Sequence, residues 1–145
     1  MTPVRFREVI APPIWLLAFL YFLFTSVSVS IWAAIGNSPA LWSQIILTMA
    51  LIYIYFRWRM VIEVDDQELR INDAHIELKY LGDVRVLESD AMRLIRGRDA
   101  DPANYLAIRF WSSRGIIVRV KDLRDDTPHW IISSRRGSEL AAALR

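Results

Sequence analysis

Apolar residues along the chain follow two different rhythms that meet near Trp58. From Ile14 to Ile35 the run IWLLAFLYFLFTSVSVSIWAAI contains no Asp, Glu, Lys, Arg or His and is apolar around its whole circumference. A soluble core helix would carry a polar stripe instead. At a rise of about 1.5 Å per residue such a helix reaches about 33 Å, enough for a hydrocarbon core of about 30 Å. Only Thr25, Ser26, Ser28 and Ser30 interrupt it, and their hydroxyls can bond back to helix carbonyls. A second apolar run, Ala40 to Phe56, is short for a span, and Arg57 and Arg59 can extend it by reaching toward headgroups.

Between the runs, Gly36-Asn37-Ser38-Pro39 reads as a turn, so the two helices are antiparallel neighbours. Gln44 and Thr48, four residues apart, suit packing against the first helix. Arg5, Arg7, Arg57 and Arg59 flank the pair while the loop carries no charge, which places both flanks in the cytoplasm. Trp15, Trp32, Trp42 and Trp58 fall near the four helix ends, where indoles settle at membrane interfaces. A cleaved signal peptide would have a shorter apolar region and no second span behind it.

Beyond Trp58 the period changes to two. Short alternating segments at 61–64, 69–71, 76–80, 84–87, 106–111, 116–121 and 129–133, with acidic, amide and glycine turns between them, predict seven strands with no helix among them. Such a set closes as a small antiparallel barrel or sandwich. Ser138 can cap a terminal helix that places Leu140 and Leu144 on one face, able to plug an open end. Seven strands and a C-terminal helix resemble a pleckstrin-homology-like barrel, a module often tethered in bacteria to paired transmembrane helices.

Composition narrows the chemistry. The chain has no cysteine, which removes disulfides, thiolate metal sites and cysteine nucleophiles. Of 18 basic and 16 acidic residues, only Arg5, Arg7 and Glu8 precede Arg57, so the β segment is nearly neutral and lacks the basic excess of a nucleic-acid binder. With only His75 and His129, no glycine-rich phosphate loop and no two-histidine helical motif, nothing points to an enzyme or a cofactor. His75, directly after a turn, reads as a solvated strand residue.

Local patterns resemble a family of small actinobacterial membrane proteins known only as domain of unknown function 3093. They are Phe6-Arg7-Glu8 with Pro13 and Trp15, Gly97 with Asp101-Pro102, Arg109-x-Trp111, and Asp122-x-x-x-Asp126-Thr127-Pro128-His129-Trp130 followed by Ser133-Ser134-Arg135. The resemblance covers nearly the whole chain, and its C-terminal stretch is the most specific. Where this chain has His129 the family usually carries tyrosine. The resemblance implies a bacterial membrane protein and supplies no activity.

The segment from Asp122 to Trp130 gathers three carboxylates and an imidazole, a set able in principle to hold a hard or borderline cation. It lacks a glycine at the sharp turn and a ligand register, so a β connection with carboxylates on backbone amides is the favoured reading. Trp130, before Ile131 and Ile132, reads as core or rim. Alternation sets Leu106, Ile108 and Phe110 on one face and Arg109 with Trp111 on the other, where Trp111 either packs at the core edge or joins an interaction surface. Arg93, Arg96 and Arg98 form a basic loop able to approach an anionic leaflet.

The expectation is therefore a membrane α+β protein: residues 1–59 as flank and transmembrane hairpin, with spans 14–35 and 40–56, and residues 60–145 as a cytoplasmic β domain. It lies in the plasma (inner) membrane with both termini cytoplasmic. It acts as a non-enzymatic interaction module or accessory subunit bound to a protein partner, or alternatively binds anionic lipid headgroups. No metal and no nucleic acid enter. The surface expected to carry the interaction is Arg96, Arg98, Arg109, Trp111, Asp126, His129, Trp130 and Arg135.

Overall fold

A computed structural model describes residues 3–145; the first two residues of the expected segment 1–59 lie outside the described residues. The chain forms two compact units, one of residues 11–59 and one combining the N-terminal stretch through Ile10 with Met60–Arg145.

The smaller unit is a pair of helices, α1 (Ile14–Ile35) and α2 (Asn37–Trp58), each long and apolar enough to cross a membrane by length and composition. The bounds of α1 match the sequence expectation, whereas α2 is longer than 40–56 at both ends. The expected four-residue turn shrinks to Gly36 alone. Its φ of +112° is a conformation that side chains with a Cβ rarely adopt. Pro39 falls in the first turn of α2, where a missing N–H costs nothing, so it starts the helix rather than breaking it. The Trp32 indole donates to Asn37 Oδ1 at 2.6 Å across the bend. Between the helices Ser43 Oγ donates to Ser28 Oγ (3.1 Å) and Gln44 Nε2 to Thr25 Oγ1 (3.4 Å). Thr48 bonds to the Gln44 carbonyl, and Ser26 and Ser30 bond back one turn.

The larger unit has two four-stranded sheets. The first is a meander in the order β1 (Phe6–Ile10), β2 (Met60–Val64), β3 (Glu68–Ile71), β4 (Ala74–Glu77). The second contains β5 (Leu81–Leu87), β6 (Tyr105–Ala107), β7 (Gly115–Val120) and β8 (His129–Ser133), ordered β5-β7-β8-β6. Two helices complete it, α3 (Ser89–Arg96) and α4 (Gly137–Ala143).

Four expectations need correction. First, the flank before the helical pair belongs to the larger unit: β1 pairs antiparallel with β2, from Phe6↔Val64 to Ile10↔Met60, so the helical pair is inserted in sequence between two neighbouring strands. Second, the predicted basic loop at 93–98 is largely α3, a helix between strands. Third, the second sheet is mixed, because β6 runs parallel to β8. Fourth, the strand expected at 106–111 ends at Ala107, and residues 78–80 form a 3₁₀ turn rather than the end of β4.

One core lies between the sheets. Phe6 and Ile10 of β1, Ile62 and Val64 of β2, Leu69 and Ile71 of β3, Ile116 and Val118 of β7, and Trp130 and Ile132 of β8 fill it together with Leu140 of α4. A second cluster lies on the outer face of the second sheet, where Met92 of α3 packs with Leu87, Ile117 and Ile131. The second sheet is thus apolar on both faces. This explains the unbroken runs Ile116-Ile117-Val118 and Trp130-Ile131-Ile132, which a half-exposed strand would not carry. Gly115 sits where a Cβ would lie 2.0 Å from the Ile132 carbonyl oxygen and 2.4 Å from Met92 Cε, so α3 and β8 close on a position only glycine fills.

Candidate functional site

The buried polar chemistry gathers around two consecutive serines at the end of β8. Ser133 and Ser134 are both fully buried, and in extended backbone adjacent side chains point to opposite faces. Each anchors its own cluster.

On one side, Ser133 Oγ accepts from the Arg109 backbone N–H at 3.0 Å and from Arg96 Nη2 at 3.3 Å. The same Arg96 nitrogen donates to the carbonyls of Arg109 (3.2 Å) and Ser112. Arg96 stands in the last turn of α3, where the helix dipole favours a cation. Partial burial holds its guanidinium below the ordinary value. The Arg109 guanidinium donates through Nη1 to the Ile108 carbonyl at 3.1 Å.

On the other side, Glu8 of β1 is a carboxylate on a core face. Its strand alternates Phe6, Glu8, Ile10 inward, and the acid keeps that parity although only 8% exposed. Burying a charge is costly unless it is hydrogen-bonded. Glu8 Oε2 accepts from Ser134 Oγ at 2.5 Å and Oε1 from the Arg135 backbone N–H at 2.9 Å. Arg136 lies over the Phe6 ring, 4.9 Å from its centroid, and ion-pairs with Glu139 of α4. Residues at the two ends of the chain, Phe6-Arg7-Glu8 and Ser133-Ser134-Arg135, therefore form one corner.

Of the predicted surface, the Arg96 side chain and the Arg109 backbone N–H meet at Ser133, while Arg135 joins the other cluster through its backbone N–H to Glu8. Arg98 does not join them: it is exposed and pairs with Asp99 at 3.3 Å. Asp126 is exposed in the β7–β8 connection, and His129 opens β8 opposite Arg119. Trp130 is core, its ring 4.5 Å from that of Tyr105. Trp111 packs at the edge of the main core, the first of its two expected roles, whereas the expected common face of Leu106, Ile108 and Phe110 breaks up: Ile108 packs against the second cluster, and Leu106 and Phe110 are 54% and 63% exposed. The physical reason is the end of β6 at Ala107, after which alternation no longer applies.

In the Asp122–Trp130 segment, Asp122 accepts from the Arg124 backbone N–H (3.0 Å) and Asp125 from that of Thr127 (2.9 Å). These are side-chain turns. The Arg124 backbone bond, more than its guanidinium, holds the Asp122 carboxyl below its ordinary value. The acids that accept the backbone bonds are Asp122 and Asp125, rather than Asp125 and Asp126. Sequence reasoning did not select Glu8, Ser112, Ser133 or Ser134 as site residues. For Glu8 the signal was present, an acid at the inward parity of Phe6-x-Glu8-x-Ile10.

No curated protein and no solved structure matches the chain. A family model described as Protein of unknown function (DUF3093) matches residues 5–144, from the residue before β1 to the end of α4, and so takes in the helical pair and both sheets together. The chain belongs to the DUF3093 family.

Proposed function

We propose that this chain is a two-span protein of the plasma membrane whose β unit is a non-enzymatic interaction module on the cytoplasmic side, serving as an accessory subunit to a protein partner in a membrane complex. The observation that carries the reading is the pairing of β1 with β2, from Phe6↔Val64 to Ile10↔Met60. The chain leaves β1 into α1 three residues later and returns from α2 into β2 one residue later. Two hydrogen-bonded strands cannot lie on opposite sides of a bilayer, so helices that cross must cross as a pair and return. The arginines at 5, 7, 57 and 59, against an uncharged bend, set the cytoplasmic side.

Two sheets around one core, with Leu140 of α4 reaching into it, support a pleckstrin-homology-like barrel. Leu106, Phe110 and the fully exposed Leu123 supply apolar anchors of the kind that partner surfaces use. The carboxylates of Glu8, Asp122 and Asp125 are engaged in holding backbone and hydroxyl groups, which favours a binding role over catalysis.

Two measurements test this. Because the chain has no cysteine, Asn37→Cys and Leu123→Cys report topology cleanly. A membrane-impermeant maleimide should label Asn37→Cys in intact cells and Leu123→Cys only after permeabilisation; the reverse pattern overturns the topology. Purification in mild detergent should bring down one stoichiometric protein, released by Leu106→Ser with Phe110→Ser. Recovery of the chain alone at every detergent strength would overturn the subunit role.

A further inference from the structure

We infer that the uncovered part of the outer face of the second sheet, which carries Arg85, Arg119 and Lys121, is a docking surface for the anionic lipid headgroups of the bilayer. The inference rests on the reading above that the helical pair crosses a membrane. Strand β7 alternates: Ile116 and Val118 enter the main core, while Ile117 and Arg119 lie on the outer face. Helix α3 covers that face only where Leu87, Ile117 and Ile131 lie. Past the helix the face turns cationic. Arg85 of β5 stands opposite Ile117, which makes Arg119 its diagonal neighbour, and His129 of β8 stands directly opposite Arg119. Lys121 joins the same side. A Cβ at Gly82 would lie 2.8 Å from Lys121 Cε and 3.3 Å from Arg119 Cβ, so the glycine leaves the space in which these two stems lie against β5.

Arg85, Arg119 and Lys121 are exposed, and among the described residues none of their side chains enters a hydrogen bond or an ion pair. Elsewhere on the β unit arginines have acids beside them, as Arg7 has Glu63, Arg114 has Glu88 and Arg124 has Asp122. Like charges on neighbouring strands repel, so three cations without a counter-charge weaken the sheet unless an anion from outside answers them. Two observations favour a lipid surface as that anion. No bond fixes the cationic heads, which suits mobile headgroups better than acceptors held at set positions in a folded partner. The links to the helices are also short: three residues separate β1 from α1 and one separates α2 from β2, which keeps the β unit within reach of any bilayer that the helices cross. Near an anionic leaflet each such cation strengthens the contact about fivefold.

The test uses the full chain in nanodiscs that carry a paramagnetic label on some lipid headgroups, with relaxation of the backbone amides as the readout. Replacing part of the phosphatidylcholine with phosphatidylglycerol should raise the relaxation enhancement at the amides of Arg85, Arg119 and Lys121, and high salt should remove the increase. Each of Arg85→Gln, Arg119→Gln and Lys121→Gln should weaken the contact about fivefold, and the three together should abolish the increase. Arg93→Gln with Arg98→Gln, which removes two exposed arginines already paired with acids, should leave it unchanged. Equal enhancement in the two lipids, an increase centred on other amides, or an increase that survives the triple substitution overturns the docking surface. So does the result expected of an acidic protein partner, in which phosphatidylglycerol changes nothing and the triple variant loses the co-purified protein. Should the triple variant fail to fold, the location and salt dependence of the increase in the unsubstituted chain decide. A chain that does not span the bilayer fails the maleimide test, so loss of the membrane reading is distinguishable from loss of this one.

Discussion

The Glu8 carboxylate accepts a hydrogen bond from the Ser134 hydroxyl at 2.5 Å, joining residues 126 positions apart in the chain. With the Arg135 N–H on its other oxygen, this acid fastens the strand before the helical pair to the corner between β8 and α4. Glu8→Ala leaves a buried hydroxyl and a backbone N–H without their acceptor and should cost about 2–4 kcal/mol. Glu8→Gln keeps one acceptor but turns an amide N–H₂ toward a donor, and should cost about 1–2 kcal/mol. Denaturant unfolding in detergent, followed by tryptophan fluorescence, checks both.

The insertion of the hairpin between β1 and β2 predicts how the β unit can be isolated. Residues 60–145 alone lack Phe6 and Ile10 from the core and leave β2 as an exposed edge, and they should aggregate. Since Ile10 lies opposite Met60, replacing residues 11–59 by a two-residue Asn-Gly turn should close a simple hairpin and yield a folded, detergent-free domain. Dispersed amide spectra for the joined form and their absence for 60–145 are the expected pair of results.

Gly115→Ala tests the close approach of α3 to β8. The added methyl would lie 2.0 Å from the Ile132 carbonyl oxygen, which belongs to backbone and cannot rotate away. A loss of about 2–4 kcal/mol is expected, against well under about 1 kcal/mol for Gly97→Ala, where the nearest atom is 3.4 Å away. Thermal unfolding of the two variants side by side measures the difference.

The Arg136–Glu139 pair gives a pH dependence of known sign. The hydrogen bond from Arg136, and then its charge, hold the Glu139 carboxyl below the ordinary value of 4.5. A carboxyl depressed in the folded state contributes stability above its unfolded pKa and loses it as pH falls through the folded value. Stability should therefore drop from about pH 5 downward, and Glu139→Gln should flatten that part of the curve. Both groups are exposed, so the effect is small and should fade further in high salt.

How much of this was readable depended on the strength of the local pattern. Helix α1 announced its own bounds through 22 residues without a charge, and the strands of the first sheet followed their alternation, whereas β7 and β8 showed as unbroken apolar runs. Strand β1 was hidden because five residues next to a long apolar run look like its flank, and its pairing with β2 is decided some fifty residues away. Helix α3 was missed for a different reason: its arginines dominated the reading, although Ile117 and Ile131 already required a cover on the outer face of the second sheet. The parallel pairing of β6 with β8 left no local trace at all. The candidate site fared likewise, with Arg96 and Arg109 identified but Glu8 and the two serines that organise them found only through tertiary contacts.

The split of the first sheet around the helical pair has a consequence for biosynthesis. Strand β1 leaves the ribosome before either helix, and its partner β2 emerges only after both. The first sheet therefore cannot close during early translation; β1 must wait until both helices have been made and β2 follows them. On the proposed two-span topology, a chain whose second helix failed to insert would leave β1 and β2 on opposite sides of the bilayer, each with an unpaired sheet edge. On that topology, closure of the first sheet would follow only on completed insertion of both helices.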